Sequence, residues 1–336
     1  MILQEIWQEL ERDMHSVSSG YLTRRVMPES VHDIYLAVEK PANMRLFMIR
    51  VRRASIEPSD IFPASKGFEV RKVVMPDYDK EHIALQLILI DPNYNDIFSV
   101  LVQDIIDRIT PLPDEQKAII MFISRLQQWQ SFLKKGHPLI LGEEAQRGLY
   151  GELDFLRQYA IPNLGAEVAL ATWLGPRNYP QDFRFGNTAI EVKTSIAKQH
   201  QKIFITSERQ LDESGEGVIY LYHLSLEMRQ GSGESLPEII LRIRDLLHDR
   251  PVSAEVFETL LFEAGYLDVN SSYYEKTGYI KRETNFFKVA ETFPRIIEKD
   301  LRNGVGDVHY SITVAECRHF AVTESDIVVL MRSVNG

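Results

Sequence analysis

The sequence contains a single cysteine, Cys317, and lacks the marks of several large protein classes. One cysteine excludes an internal disulfide bond and a zinc site built on cysteines, so a reducing cytoplasm is the expected compartment. The longest apolar runs, such as 83–90, are far shorter than the roughly 18 residues that a membrane span requires. No glycine-rich phosphate loop and no dinucleotide fingerprint are present. We therefore expect a soluble protein that does not drive ATP-dependent translocation.

Positive charge is also scarce. The 38 Lys and Arg residues are outnumbered by 48 Asp and Glu residues, which gives a net charge of −10 at pH 7. Because affinity for nucleic-acid phosphates comes largely from clustered Lys and Arg, this charge argues modestly against tight non-specific DNA binding. It leaves room for a local basic surface, since distant charges are screened beyond about 8 Å at physiological salt.

The length of 336 residues predicts two domains, or one domain with a large extension. Residues 1–135 predict a β-rich N-terminal domain, in which short β-type runs follow a first helix and 40–43 form a hairpin connection. Helical spacing follows over 97–109 and 114–133, and the basic stretch 134–138 marks the boundary. This domain is also the most basic part of the chain, so we expect it to contact DNA or a partner. Its basic residues include Arg24, Arg25, Arg50, Arg52, Arg53, Arg71 and Lys72.

Residues 136–235 predict an α/β core, in which a mixed sheet is flanked by helices. The Gly186-Asn187 pair is typical of a tight hairpin turn whose residues need positive φ. The predicted order is a helix over 142–159, a strand over 166–174, a hairpin over 181–185 and 188–194, a strand over 202–206, a short helix after Ser207 and a strand over 217–226.

Residues 236–336 predict a helical and β extension that packs on the core. Its helices are expected over 236–248 and 253–264, and a last strand over 327–332. The sequence does not decide whether its β segments join the core or the N-terminal sheet.

The chemistry-bearing feature is Asp182 on one arm of the hairpin and Glu191-Val192-Lys193 on the other. Because side chains alternate along a strand, Glu191 and Lys193 must point to one face, with Val192 opposite. The hairpin returns Asp182 alongside Glu191. Two carboxylates and the Val192 carbonyl are oxygen ligands of the kind that Mg²⁺ prefers, and Mn²⁺ is expected to substitute for it.

Phosphodiester hydrolysis is the chemistry that suits this set of groups. A bound metal ion polarises a phosphate and lowers the pKa of a water ligand. Lys193 would orient or help to deprotonate that water and offset transition-state charge. A lysine that is partly desolvated near a metal can have a depressed pKa, which would suit a role as base.

These residues resemble the PD-(D/E)XK nuclease superfamily, which includes many restriction endonucleases. The resemblance rests on Asp182, Glu191 and Lys193, although proline stands two positions before Asp182 and not one. Members often carry an acidic residue on the preceding helix, the place of Glu152, and a polar helix after the motif, the place of Gln210.

The resemblance covers roughly residues 142–226 and implies a restriction-endonuclease-like fold. It implies a Mg²⁺-dependent DNA endonuclease of restriction or phage-defence type, with Asp182, Glu191, Lys193, Glu152 and Gln210 in the catalytic set. It also implies a homodimer or defence-system partner proteins as assemblies.

Plainer interpretations stand beside each functional one. Glu191 and Lys193 could be a surface ion pair worth at most about 1 kcal/mol. Glu152 could be an exposed helix residue, and Gln210 a buried glutamine that satisfies a neighbouring carbonyl group. A charged cluster at Lys198, His200, Lys202 and Arg209 is either a phosphate-binding surface or a solvated face.

Two other functions remain open from the sequence. One is a catalytically silent member of the fold that binds nucleic acid or acts as a scaffold in a defence system. The other is a structure-selective nuclease that acts on junctions or RNA.

Overall fold

A computed structural model of the protein describes residues 3–13, 18–56, 62–63, 67–75, 79–136, 138–196, 201–213, 217–290 and 292–333. Within these ranges, no helix has both the length and the apolar character needed to cross a membrane. The chain divides into two units, Met1–Leu139 and Ile140–Gly336, and each is described by itself.

The N-terminal unit is built on an antiparallel sheet of five strands in the order β1-β2-β3-β5-β4. Its elements are α1 (Leu3–Arg12), β1 (Gly20–Val26), β2 (Asp33–Lys40), β3 (Met44–Arg52), β4 (Phe68–Val73), β5 (His82–Leu89), α2 (Asn95–Ile109) and α3 (Glu115–Lys135). Aromatic pairs join helices to one another and to the sheet, as Trp7 does with Phe98 and Phe47 with Phe122. The predicted β-rich N-terminal part with its antiparallel sheet is confirmed.

Local chemistry sets the limits of helix α3. The Asp114 side chain accepts a hydrogen bond from the Lys117 amide at 2.9 Å, which caps the first turn. Gly136 ends the helix with φ of 70°, a left-handed conformation that suits glycine. These residues explain why the helical passage restarts after the prolines and stops where the sequence predicted.

Several arginines of the N-terminal sheet lie against carboxylates. Because each such pair offsets one positive charge, the sheet presents less free positive charge than its composition implies, and DNA contact there stays a prediction. The pairs are Arg24 with Glu9, Arg25 with Asp33, Arg50 with Asp33 and Asp79, Arg52 with Glu115, and Arg71 with Glu69.

The C-terminal unit is built on a mixed sheet in the order β10-β11-β9-β7-β6, with β13 beside β11 and a separate β12-β8 pair. Strands β7 and β9 are parallel and the other pairs are antiparallel. Helices flank the sheet, so the predicted mixed α/β architecture is confirmed. The elements are α4 (Glu143–Phe155), a π-helical turn (Leu156–Ala160), α5 (Ile161–Leu164), α6 (Ala166–Thr172), β6 (Phe183–Phe185), β7 (Thr188–Ile196), β8 (Lys202–Ile205), β9 (Val218–Gln230), β10 (Glu234–Ser235), α7 (Leu236–Leu246), α8 (Pro251–Glu263), α9 (Ser271–Tyr274), β11 (Thr277–Lys288), β12 (Tyr310–Thr313), α10 (Val314–Cys317), β13 (Ala321–Val322) and α11 (Glu324–Arg332).

Strand β7 separates two apolar clusters. Ile190 and Val192 belong to the cluster that also contains Leu149 and Leu153 of α4, whereas Ala189 belongs to the cluster with Ile203 and Ile205 of β8. By the alternation of the strand, Glu191 and Lys193 therefore lie on the Ala189 side. These two charged side chains emerge on the face of the sheet on which β8 and β12 lie.

The segment predicted as a strand over 166–174 is instead helix α6, so that prediction is wrong. Its buried residues Ala166, Ala169 and Leu170 are spaced by three and four positions, which fits a helix as well as the alternation fits a strand. Ala and Leu are also strong helix formers.

The last predicted strand, 327–332, is likewise part of a helix, α11. Thr323 and Asp326 form a capping box at its start, and the buried Ile327 and Met331 are four residues apart. A short apolar run without a clear period misled the interpretation here.

The extension after residue 235 contributes a strand to the core sheet. Strand β11 pairs with β9 from Thr277↔Gln230 to Lys288↔Tyr220, and β12 pairs with β8. The question that the sequence left open is settled in favour of the core sheet.

Candidate active site

The hairpin of β6 and β7 brings Asp182 to Glu191. Its register pairs Phe183 with Ile190, and continuing that register places Asp182 opposite Glu191. Gly186 adopts φ of 55° at the turn, as the Gly-Asn pair predicted. Asp182 Oδ2 accepts a hydrogen bond from the Val192 amide at 2.7 Å, which fixes the carboxylate against the neighbouring strand.

Glu191 and Lys193 form an ion pair on one face of β7, with Lys193 Nζ 2.8 Å from Glu191 Oε1. Glu191 is fully buried. Apart from this ion pair, no hydrogen-bond donor of the described residues satisfies either Glu191 oxygen. A surface ion pair is therefore excluded, and a buried carboxylate is left with unused acceptor capacity, which is costly unless a ligand satisfies it.

Glu152 reaches the same cluster from helix α4. Its Oε2 accepts a hydrogen bond from Trp173 Nε1 at 2.7 Å. A Cβ atom on Gly175 would lie 2.4 Å from Glu152 Oε2 and 2.9 Å from Asp182 Oδ1, so both carboxylates approach one point beside that glycine. Glu152 is thus not an exposed helix residue, and the position of Gly175 has no room for a side chain.

Crowding of the acids changes their proton affinity. Burial raises the pKa of Glu191 to about 8, against the opposing charge of Lys193. Burial likewise raises the pKa of Asp182 to about 6. Burial, together with the charges of Asp182 and Glu191, raises the pKa of Glu152 well above its ordinary value. Too little positive charge lies near these carboxyl groups to keep them all ionised. A bound cation would stabilise their charged forms.

Lys193 differs from the sequence-based expectation of a depressed pKa. Burial lowers the pKa of its ammonium, but the charges of Glu191, Asp182 and Glu152 outweigh burial and raise the pKa above the ordinary value. In this arrangement the lysine is a fixed cation and not a base.

Gln210 lies against Lys193 from the other side. Its Oε1 accepts hydrogen bonds from Lys193 Nζ at 3.3 Å, from the Thr206 amide at 2.9 Å and from Thr206 Oγ1 at 3.2 Å. The predicted short helix after Ser207 is wrong, because residues 208–211 form a turn. The turn still brings the predicted glutamine to the cluster.

Three residues of the site were missed from the sequence. Trp173 holds Glu152, Gly175 leaves space for two carboxylates, and Gln181 Nε2 donates to the carbonyl oxygens of Arg209 (3.0 Å) and Gln210 (3.3 Å). The available signal was position alone, since all three lie within ten residues before Asp182.

The residues present fit a hard divalent cation. Among the described residues, no three His, Cys, Asp or Glu side chains are grouped closely enough to hold a metal ion by themselves. Asp182, Glu191 and the Val192 carbonyl remain the oxygen donors that would hold one, in line with the few protein ligands that Mg²⁺ usually takes. The unsatisfied oxygens of Glu191 are the observation that supports this fit.

The other charged residues singled out nearby are not gathered into the cluster. Lys202 is exposed on β8, and Arg209 is 3.6 Å from Glu298 at the surface. Lys198 and His200 lie outside the described residues.

Comparison with known proteins points in the same direction. The family described as "Putative PD-(D/E)XK family member (DUF4420)" matches residues 3–315. No curated protein and no solved structure matches the chain. Because the match spans nearly the whole chain, the resemblance drawn from Asp182, Glu191 and Lys193 is confirmed at the level of the family, and the chain belongs to this PD-(D/E)XK family.

Proposed function

We propose that the protein is a Mg²⁺-dependent DNA endonuclease, with Mn²⁺ able to replace Mg²⁺. The PD-(D/E)XK superfamily comprises nuclease-type phosphodiesterases that typically use divalent metals. The observation that carries the proposal is the Glu191 carboxylate, which is buried beside Asp182 and has no donor within the described residues other than its ion-pair partner Lys193. A buried acid in this state suits a cation and a phosphate better than it suits a structural role.

Each side chain has a distinct task in this proposal. Asp182, Glu191 and the Val192 carbonyl hold the metal ion, which when bound polarises the scissile phosphate and supplies a water of lowered pKa. Lys193 places a permanent positive charge beside the phosphate and stabilises the charge that develops in the transition state. Gln210 restrains Lys193, and Glu152, oriented by Trp173, borders the same space.

DNA is the favoured substrate because of the superfamily, and restriction or phage defence is the favoured setting for the same reason. A homodimer, defence-system partner proteins and a cytoplasmic location complete the proposal. The paired arginines of the N-terminal sheet and the net charge of −10 limit what electrostatics can contribute to binding. We accordingly expect DNA affinity to depend less steeply on salt than in a strongly basic binder.

The same charge pattern favours one alternative, a catalytically silent member that serves as a scaffold. In that case Glu191 would be an unused remnant, and neither divalent ions nor DNA would bind to the cluster.

Incubation with plasmid, phage and branched DNA and with RNA in Mg²⁺, Mn²⁺ or EDTA decides between these functions. Wild-type protein should cut DNA in either metal and not in EDTA. Lys193→Ala should be impaired, whereas Lys202→Ala, an exposed lysine on β8, should behave as wild type. Absence of both cleavage and Mn²⁺ binding would favour the scaffold, and preferential cleavage of branched DNA or RNA would favour a structure-selective nuclease.

A further inference from the structure

The turn that carries Gln210 has few hydrogen bonds of its own. Within it, the Gln210 amide donates to the Ser207 carbonyl at 3.2 Å and the Asp212 amide donates to the Arg209 carbonyl at 3.3 Å. A turn of this length has no helical ladder to stiffen it. Thr206 holds the Gln210 side chain, but a further contact must keep the turn itself in place beside β7.

Arg295, far along the chain, binds this turn directly. Its Nη1 donates to the Leu211 carbonyl at 2.5 Å, and its Nη2 donates to Glu213 Oε1 at 2.7 Å. Only 4% of the Arg295 side chain is exposed, against 34% of the Glu213 side chain. A buried guanidinium that donates to a backbone carbonyl and a carboxylate at once restrains the position of the turn more strongly than a surface ion pair would.

Two backbone amides from the same part of the chain also donate hydrogen bonds to residues of the turn and its flank. The Glu298 amide donates to Asp212 Oδ2 at 3.3 Å, and the Val308 amide donates to Glu208 Oε2 at 3.0 Å. The turn is therefore tied at its start, at its end and just beyond by segment 295–308. On its other side, Gln181 donates to the Arg209 and Gln210 carbonyls.

We infer that Arg295 is a positioning residue of the active site, which sets Gln210 and through it Lys193. This inference rests on the proposed nuclease function for its catalytic part. When Arg295 is lost, the Leu211 carbonyl and Glu213 lose their shared donor, and the turn can move away from β7. Lys193 then loses the hydrogen bond to Gln210 and keeps only its ion pair with Glu191, so its ammonium group is no longer fixed beside the place where a phosphate would lie.

The test is a double-mutant comparison in the full-length protein. Arg295→Ala and Gln210→Ala should each lower the single-turnover cleavage rate by about 10- to 100-fold, the usual effect of removing a supporting partner, with little change in the DNA concentration for half-maximal rate. The double variant should be no slower than Gln210→Ala alone, because both changes remove the same restraint. Arg295→Lys should recover part of the rate, because one ammonium can still donate to Leu211. Arg302 is an exposed arginine of the same segment, and the Arg302→Ala protein should cut at the wild-type rate.

A second measurement separates this inference from the proposed function. Hydrogen exchange of peptides spanning 206–213 should quicken in Arg295→Ala and not in Arg302→Ala, while peptides of β9 keep their protection. This result supports the positional role even if wild-type protein cuts nothing, in which case the nuclease proposal alone fails. Unchanged exchange in Arg295→Ala, or a double variant whose loss is the product of the two single losses, would overturn the inference.

Discussion

Two acids in the last turn of helix α4, Glu152 and Asp154, have surroundings that differ sharply. Asp154 is completely buried, yet its oxygens accept hydrogen bonds from Tyr222 Oη at 2.7 Å and Lys281 Nζ at 2.9 Å. Glu152 has the Trp173 indole as its hydrogen-bond donor and faces two further carboxylates.

The partners of Asp154 continue into a network in which each carboxylate accepts hydrogen bonds. Arg157 lies 3.5 Å from Asp154 and donates to Glu234 at 2.6 and 2.9 Å, and Tyr150 donates to Glu234 at 2.8 Å. In the Glu152 cluster, by contrast, the Glu191 carboxylate lacks hydrogen bonds from the described residues. Carboxylates that are paired with donors stabilise the fold, whereas a cluster of buried acids with too few donors is suited to binding a cation. Two sides of one helix thus face a structural network and a candidate site.

The largest expected difference between the Asp154 network and the Glu152 cluster is the effect of replacing Glu191. In Glu191→Gln we expect cleavage to fall to background, because the metal site loses one of its two carboxylate ligands. Calorimetry should show that Mn²⁺ binding is lost. The free energy of unfolding should stay within about 1 kcal/mol of wild type, because loss of the ion pair with Lys193 is offset by removal of a buried charge. A variant that cuts normally would refute the assignment of Glu191 as a ligand.

Lys193→Ala should separate metal binding from chemistry. The ligands remain, so Mn²⁺ affinity should persist, while cleavage slows by about 10²- to 10³-fold, or roughly 3 to 4 kcal/mol, through loss of a positioned charge. Single-turnover cleavage and calorimetry on the same protein samples measure the two quantities. Equal loss of binding and rate would show that the lysine supports the metal site and not the transition state.

Asp154→Asn should give the opposite result. Tyr222 and Lys281 lose a charged acceptor, so the free energy of unfolding should fall by roughly 2 to 3 kcal/mol. Urea denaturation measures this loss. The cleavage rate per folded molecule should stay near that of wild type. A slower rate in fully folded protein would show that the Asp154 network contributes to the candidate site.

His223 tests an intermediate case. Its Nε2 lies 2.8 Å from Ser195 Oγ, but its Nδ1 is buried and has no hydrogen-bond partner among the described residues. Burial lowers the pKa of His223 to about 4. The histidine therefore binds a proton more tightly in the unfolded chain than in the folded protein. The contribution of neutral His223 to stability is present above about pH 6.5 and is lost as the pH falls towards 4.

We expect His223→Leu to remove this pH dependence, which is about 3 kcal/mol between pH 7 and pH 4. The difference between wild-type and variant unfolding free energies at each pH isolates His223 from the carboxyls, whose raised pKa values act in the opposite direction. Parallel curves for the two proteins would mean that the histidine is not held neutral.

The features that could be predicted from the sequence are those determined by residues close together in the chain. The alternation of Glu191 and Lys193 and the Gly186 turn follow from strand geometry, so the hairpin was predictable. Helix α6 and helix α11 were missed, because a few apolar residues fit two periods and only packing chose between them.

Contacts between distant parts of the chain had no local signal. Arg295 and Leu211 are separated by 84 positions, and nothing in the composition of either segment joins them. Glu152 and Trp173 are separated by 21, and the tryptophan lies in a region that was assigned to a strand. The catalytic set was therefore easier to propose than the residues that position it.

The central place of β11 has a consequence for synthesis and truncation of the chain. Strand β9 is translated before β11, which pairs with one of its edges and ends only at Lys288. A fragment that stopped at residue 235 would expose that edge along most of the strand, together with an apolar row that includes Tyr222 and Leu224. Long unpaired edges of this kind recruit other chains. Such a fragment would form aggregates and not a minimal nuclease, and a ribosome-bound chain would be at the same risk until the later strand emerged.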